Sequence, residues 1–187
     1  MFEPDEAAAA REVPSMNVDS DDRGGGMEEL GIALGTIVSL MKRSASIDQA
    51  VLLMLDGNDI VAVGTWSPRS TALWPGARLH LTARSLEPML RRTGSVFSGE
   101  AMNDGFLPIL DGVLSASGSR CWVSCPLLDG GTVVGALVLG STVPGSLCPS
   151  QELYFRSLAS LVECDLIRMG RRSLRELASA DAPRRSA

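Results

Sequence analysis

The clearest structural signal in the chain lies in Ser119–Ser141, with the sequence SRCWVSCPLLDGGTVVGALVLGS. It predicts two strands joined at Asp129-Gly130-Gly131, because Asp-Gly and Gly-Gly supply the residues with positive φ that tight hairpin turns need. Val133–Leu139 is apolar on both of its faces, as expected of a strand that is covered on each side. A helix is predicted to begin at Ser150, because a serine can cap the free backbone amides of a first turn.

This order of elements resembles the last hairpin of a GAF domain. Domains of that family carry an S-x-x-x-V-P-L strand, then a G-x-V-I-G-V-L strand, then a closing helix; here Pro126-Leu127 and Val133–Leu139 occupy the matching places. The opening of a GAF domain is matched as well, by Gln49–Leu55 and Ile60–Trp66, which predict a hairpin through Asp56-Gly57-Asn58-Asp59. The resemblance implies an α+β fold: a central antiparallel sheet, the first and last helices on one face, and a loop and helix cap over the other.

Composition divides the chain into three segments. Residues 1–26 are predicted to be a disordered acidic leader, because a run of alanines, the closely spaced Asp19, Asp21 and Asp22, and a run of glycines precede the first periodic segment. Residues 27–177 are predicted to form the GAF-like domain, and residues 178–187 a disordered tail. The leader is either an acidic interaction tail or a solubilising extension, and the second interpretation is the simpler one.

Charge and hydrophobic content exclude several classes of protein. The formal net charge of −5 over 187 residues argues against nucleic acid as a partner, since neutralising phosphates requires clustered lysine and arginine. No signal peptide is visible, and the longest apolar run, Leu30–Met41, falls short of the roughly 20 residues that a membrane helix needs. A cytoplasmic protein without a membrane partner is therefore expected.

The first predicted helix, from Met27 to about Arg43, is apolar on more than one side. One apolar seam has 3-4-3-4 spacing, and Gly31, Gly35 and Ser39 form a second stripe of small residues that would let another backbone approach closely. Such a helix has more surface to bury than one sheet covers, and GAF domains commonly dimerise through their first and closing helices. A homodimer is therefore expected, and the alternative is a helix that simply lies on the sheet. The candidate interface residues are Leu30, Leu34, Ile37, Met41, Leu158 and Val162.

Gly99–Gly118 mixes glycines with many apolar residues and has no clear period. In the GAF resemblance this segment caps a pocket on one face of the sheet. Some GAF domains bind haem through a single histidine, so haem on the single histidine of this chain is the one cofactor hypothesis; an ordinary, partly buried histidine is the simpler interpretation, and the cofactor is unknown. The candidate ligand-binding residues are Trp66, Trp74, His80, Phe106 and Trp122, although a strand tryptophan is more often a core residue.

No catalytic arrangement is visible in the sequence. The chain has one histidine, no GxSxG around a serine, and no CxxC pair for zinc. The GAF family includes enzymes that reduce free methionine sulfoxide, with cysteines in stretches resembling G-V-C-G and H-I-A-C-D, and neither stretch occurs here. Cys121 and Cys125 would lie roughly 13 Å apart on one strand, beyond the ~7 Å that a disulfide spans. The chain is therefore predicted to have reduced thiols and not to be an enzyme.

Two functional classes follow from these observations. The first is a sensory module that binds a small effector under the cap and signals through paired helices to a separate signalling protein. The second is a dimeric adaptor with a filled pocket and no ligand, acting in a bacterial signalling pathway. The apolar cap favours the sensor, and the lack of a fused kinase, phosphodiesterase or DNA-binding region favours the adaptor.

Overall fold

The computed structural model describes residues 25–42, 44–68, 73–80, 96–99 and 108–181. The helices are α1 (Gly25–Met41), α2 (Pro108–Ala116) and α3 (Glu152–Asp181), and one turn of 3-10 helix (Pro149–Gln151) precedes α3. The strands are β1 (Gln49–Asp56), β2 (Asp59–Trp66), β3 (Arg78–His80), β4 (Val96–Gly99), β5 (Cys121–Asp129) and β6 (Thr132–Ser141).

These strands form one antiparallel sheet in the order β3-β2-β1-β6-β5-β4. The hairpins β1–β2 and β5–β6 are the two that the sequence predicts, and they meet at the centre of the sheet, where β1 pairs with β6. Gly57, Gly130 and Gly131 have φ of 63°, 58° and 83°, which confirms why glycine is required at these turns. The predicted α+β fold is thus confirmed.

The sheet separates two hydrophobic clusters, because alternate residues of a strand point to opposite faces. On β1, Ala50, Leu52 and Met54 belong to the cluster that α1 and α3 cover. Val51 and Leu53 belong to the other cluster, which also contains Leu114 of α2. We call these two sides the helical face and the capped face.

Helices α1 and α3 lie antiparallel to each other on the helical face. At one end the amide Nε2 of Gln151 donates to the carbonyl oxygen of Ser44 at 3.4 Å. At the other end the Glu176 carboxylate packs against Gly26, with Oε1 2.7 Å from the position that a Cβ would take. Gly25 and Gly26 therefore belong to α1 and not to the predicted leader, and α3 continues to Asp181, past the predicted boundary at residue 177. The rest of the leader and tail, residues 1–24 and 182–187, lies outside the described residues.

The apolar seam of α1 faces its own sheet, which corrects its assignment to a dimer interface. The side chains of Leu30, Leu34 and Met41 are fully buried and Ile37 is 6% exposed, all within the helical-face cluster. Leu158 and Val162 of α3 are partly buried and pack against the same cluster. The interpretation of a helix lying on the sheet was the right one for this seam, since the sheet and α3 together cover it.

The stripe of small residues on α1 lies beside the end of β2. A Cβ at Gly35 would lie 2.7 Å from Nε1 of Trp66, and one at Gly31 would lie 3.9 Å from the carbonyl oxygen of Thr65. The indole of Trp66 at the end of β2 therefore packs closely on Gly35, and Gly31 is in ordinary van der Waals contact with the Thr65 carbonyl. Gly31, Gly35 and Ser39 also line an open groove beside Trp66, so the approach of another backbone to this stripe stays a prediction.

Candidate functional site

The five predicted ligand-binding residues do not converge on one site. Trp66 packs on the helical face, whereas Trp122 is buried in the capped-face cluster on the other side of the sheet. Trp74 is 63% exposed, and His80 is exposed on β3 at the edge of the sheet. Phe106 lies outside the described residues. Among those described, only Trp122 is buried on the face that α2 covers.

The capped face is apolar at its centre. Its buried residues come from four strands, the loop before β3 and α2. Helix α2 contributes the buried Leu114, and its partly buried Val113 packs against the same cluster. The members of this cluster are Val51, Leu53, Ile60, Ala62, Leu73, Leu114, Trp122 and Val138. A ligand on this face would contact aliphatic side chains and the indole of Trp122.

Buried polar groups lie beside this apolar centre, and sequence reasoning missed them. The Ser119 hydroxyl donates to Oε1 of Gln49 at 2.7 Å, and both residues are buried. A Cβ at Gly140, which pairs with Trp122, would lie 2.9 Å from that hydroxyl and 3.3 Å from Oε1 of Gln49. Ser124 is 5% exposed and follows Trp122 by two residues, so it lies on the same face. A polar residue within an otherwise apolar strand, as at Gln49 and Ser124, is the signal that could have identified them.

His80 belongs to a cluster of charges at the sheet edge. Its Nδ1 lies 2.7 Å from Oδ1 of Asp59, and Arg78 bridges Asp56 at 2.8 Å and Asp59 at 3.5 Å. The hydrogen bond from His80 is the main cause that lowers the pKa of Asp59, and the positive charges of His80 and Arg78 add to it. Haem iron is ligated inside a pocket whose polarity and access the protein controls. A side chain that is 75% exposed in an ion-pair cluster does not fit that role.

None of the four cysteines forms a disulfide. Cys121 and Cys125 are buried on the helical face, Cys148 is partly buried, and Cys164 is exposed on α3. Within the described ranges, no three His, Cys, Asp or Glu side chains come together in a way that could hold a metal ion. In that same part of the chain, none of the helices combines the length and the apolar character that crossing a membrane requires.

The two helices also expose apolar side chains on the side away from the sheet. Ile32 and Leu40 on α1 are each 66% exposed, and Leu153 and Leu161 on α3 are 79% and 82% exposed. We call these four residues the outer helical surface. Beside it, an open groove of about 610 Å³ lies between α1 and Trp66. These exposed residues, rather than the buried seam, are the apolar part of α1 and α3 that a second molecule could contact.

Comparison with known proteins identifies the fold. A model of the GAF domain matches residues 29–166, which is more than half of the chain. None of the curated protein sequences matches the chain.

Solved structures with the same fold include both sensors and enzymes. The GAF domain of a two-component sensor histidine kinase from Bacillus halodurans has 15% sequence identity and a TM-score of 0.57, over 74% of this chain and 94% of that one. The type II free methionine-R-sulfoxide reductase of Thermoplasma acidophilum has 11% identity and a TM-score of 0.54, over 82% and 96% of the two chains. The free methionine-R-sulfoxide reductase of Neisseria meningitidis, solved with its substrate, has 16% identity and a TM-score of 0.54, over 79% and 81%.

The two reductases correct the prediction that the chain is not an enzyme. That prediction rested on missing catalytic motifs and on treating the fold as a regulatory one. Enzymes are among the proteins whose structures this chain resembles, over most of its length. The absence of catalytic motifs therefore did not justify the conclusion that the chain has no enzymatic activity, and that prediction was wrong.

Proposed function

Because the chain belongs to the GAF domain family, we propose that it is a sensory or regulatory module whose effector, a small molecule, binds the capped face of the sheet. Proteins with this fold generally serve as sensory or regulatory modules that bind small molecules. The proposed site consists of the capped face beneath α2. The proposed output passes through α1 and α3 to a separate signalling protein in a bacterial cytoplasm.

The observation that supports this proposal is the combination of an apolar face with a few buried polar groups. Ligand sites in proteins are mostly apolar, with a small number of polar groups that fix the orientation of the ligand. Here Trp122 and Leu114 supply apolar surface, while Ser119, Gln49 and Ser124 supply hydroxyl and amide groups. The matching effector is a compact, largely apolar molecule with one or two hydrogen-bonding groups.

The proposed route from this site to the helices passes through β1. Val51 and Leu53 lie on the capped face, and their neighbours Leu52 and Met54 pack under the helices. A Cβ at Gly170 of α3 would lie 2.7 Å from the sulfur of Met54, so α3 is in close contact with this strand. A displacement of β1 caused by the effector would therefore move or strain α3.

We further propose that the module is a homodimer that buries the outer helical surface. Four exposed aliphatic side chains on two adjacent helices, Ile32, Leu40, Leu153 and Leu161, provide apolar area that the single chain leaves in water. Association of two copies through this surface would place four helices together. The dimer contacts then differ from those that the spacing of the α1 seam suggested.

A thermal-shift screen of nucleotides, amino acids, haem and flavins tests the effector proposal. A ligand that binds only the folded protein adds about 2.7 kcal/mol to the unfolding free energy at a hundredfold excess over Kd. For a domain of this size that raises Tm by roughly 5 to 10 °C. We expect at least one stabiliser whose effect is reduced by Ser124→Ala on the capped face and kept in Ser157→Ala on the exposed side of α3.

One observation favours the second candidate, a ligand-free adaptor. Every member of the capped-face cluster is at most 7% exposed, so the chain itself already covers these side chains. If no compound in the screen stabilises the protein, this face is an ordinary core. The outer helical surface then becomes the basis for a dimeric interaction module.

A further inference from the structure

A second cavity lies on the helical face, between β5 and α3. Its volume is about 160 Å³, which far exceeds the roughly 10–15 Å³ that holds one water molecule. Its walls come from three residues of β5 and four residues of α3: Cys125, Pro126, Leu128, Arg156, Ala159, Ser160 and Glu163. We call it the β5–α3 cleft. The whole sheet separates it from the capped face.

Glu163 is held in place at one end of the cleft. Its Oε1 accepts a hydrogen bond from the backbone N–H of Leu128 at 2.5 Å. The pairing between β5 and β6 shifts register at this point, between Leu127 and Leu128. Oε2 of Glu163 makes no hydrogen bond with the described part of the chain. One carboxylate oxygen is therefore anchored, and the other is available to a ligand.

Arg156 and Ser160 complete the polar side of the cleft. Arg156 forms no ion pair or hydrogen bond in the described structure, and neither does the Ser160 hydroxyl. Two later arginines of the same helix, by contrast, bind carboxylates: Arg168 binds Asp165 at 2.9 Å and Arg171 binds Asp129 at 2.6 Å. Among the described residues, one positive group and one carboxylate oxygen of the cleft thus have no protein partner.

In the described structure Arg156 and Glu163 form no ion pair with each other. Arg156 and Glu163 are seven residues apart on α3, so they lie on the same side of the helix. Their backbone positions are separated by two helical turns, or about 10.5 Å along the axis. Leu128, Ala159 and Pro126 provide apolar wall between them. A ligand that satisfies both ends must carry a negative and a positive group and a small apolar body.

We propose that the β5–α3 cleft binds a small zwitterion, an α-amino acid with a short aliphatic side chain. The carboxylate is bound by the Arg156 guanidinium, whose planar fork of N–H donors matches carboxylate geometry. The ammonium donates to Oε2 of Glu163, and the side chain contacts Leu128 and Ala159. This site is independent of the effector proposed for the capped face.

Titration of the ¹⁵N-labelled full chain with L-alanine tests the proposal. We expect saturable shifts of the backbone amide signals of Leu128 and Ser160. L-Alanine methyl ester lacks the carboxylate and N-acetyl-L-alanine lacks the ammonium, so each should bind at least roughly tenfold more weakly, the loss expected for one charge-assisted hydrogen bond.

Two substitutions assign the binding to the cleft. Arg156→Gln removes the positive charge, and Glu163→Gln removes the negative charge while keeping an oxygen that can accept from Leu128. Each should weaken L-alanine binding roughly tenfold or more. Arg168→Gln, which removes an arginine paired with Asp165 outside the cleft, is the matched control and should leave binding unchanged.

Three results would overturn the proposal. The first is the lack of a saturable shift up to about 10 mM, tenfold above a Kd of about 1 mM. The second is binding of L-alanine that neither Arg156→Gln nor Glu163→Gln weakens, and the third is equal binding of the ester or the N-acetyl compound. If Ser124→Ala weakens the binding of an amino acid and Arg156→Gln does not, the amino acid binds the capped face. This outcome would support the effector proposal and overturn the cleft proposal.

Discussion

At the scale of single residues, glycines set how closely the elements of this fold approach one another. A Cβ at Gly64 of β2 would collide with the side chain of Leu30 on α1, and a Cβ at Gly135 of β6 would collide with the backbone carbonyl of Leu53. A side chain such as Leu30 can adjust its rotamer, but a carbonyl in the centre of a sheet cannot move without breaking the ladder. Gly135 is therefore the less replaceable of the two.

Gly135→Ala should destabilise the protein by about 1–3 kcal/mol, the usual cost of overpacking a core. Urea unfolding followed by circular dichroism measures the change. Gly112 of α2 is the matched control, because a Cβ there meets nothing within 4 Å and alanine favours a helix. Gly112→Ala should be neutral or slightly stabilising. Equal unfolding free energies for wild type and Gly135→Ala would contradict the close approach of β6 and β1.

The ion-pair cluster at the sheet edge predicts a small pH dependence. The hydrogen bond from His80 lowers the pKa of Asp59 below 3.8 in the folded state. A lowered pKa stabilises the fold above the unfolded pKa, and this contribution is lost as the pH falls through the folded value. The Tm difference between wild type and Asp59→Asn should therefore shrink as the pH is lowered through 3.8 and below. A difference that stays constant over this range would mean that the Asp59 charge does not stabilise the edge.

At the scale of elements, local signals were sufficient for the hairpins and helices but not for the direction in which α1 faces. The turns at Gly57 and Gly130 depend on residues within the turn itself, so the sequence predicts them. The orientation of α1 depends on contacts with distant residues, since Gly35 faces Trp66 across the fold. Because α1 is apolar on more than one side, its sequence alone does not determine which side is buried against the sheet.

The ligand-binding candidates failed to converge for a related reason. Trp66 and Trp122 were chosen as candidates because tryptophan is rare in this chain. The face of the sheet on which a strand residue lies, however, depends on the register of that strand. The register of β1 and β2 shifts between Leu52 and Leu53, and Trp66 pairs with Ala50 on the helical face. A one-residue shift moves a side chain to the opposite face, and nothing local in the sequence marks it.

The two sides of α1 and α3 predict two different mutant phenotypes. Leu34→Ala should lower the unfolding free energy by about 2–5 kcal/mol, because it creates a cavity under a fully buried side chain. Leu161→Asp changes a side chain that is 82% exposed, so it should keep the monomer folded and shift a dimer to monomer. Circular dichroism and multi-angle light scattering separate the two effects. A wild-type protein that is monomeric at micromolar concentration would contradict the homodimer.

At the scale of the whole molecule, three surfaces have different proposed roles, and the sheet separates the capped face from the other two. The capped face is proposed to bind the effector, the outer helical surface to bind a second copy, and the β5–α3 cleft to bind a small zwitterion. Strand β1 contributes to both faces of the sheet, through Val51 on one side and Leu52 on the other. The fold could be predicted because the family pattern lies in turns and strands, whereas these surfaces depend on which side chains remain exposed after packing.

Hydrogen exchange, with and without the stabiliser that the thermal-shift screen finds, tests the central claim most directly. If the effector binds the capped face, amide exchange should slow in α2 and its following turn, residues 108–118, and in β5 around Trp122 and Ser124. Segments that admit ligands come from the less stable parts of a structure, so residues 108–118 should exchange quickly in the free protein. Protection confined to α3, or slow exchange of residues 108–118 in the free protein with no change on adding the compound, would contradict the claim.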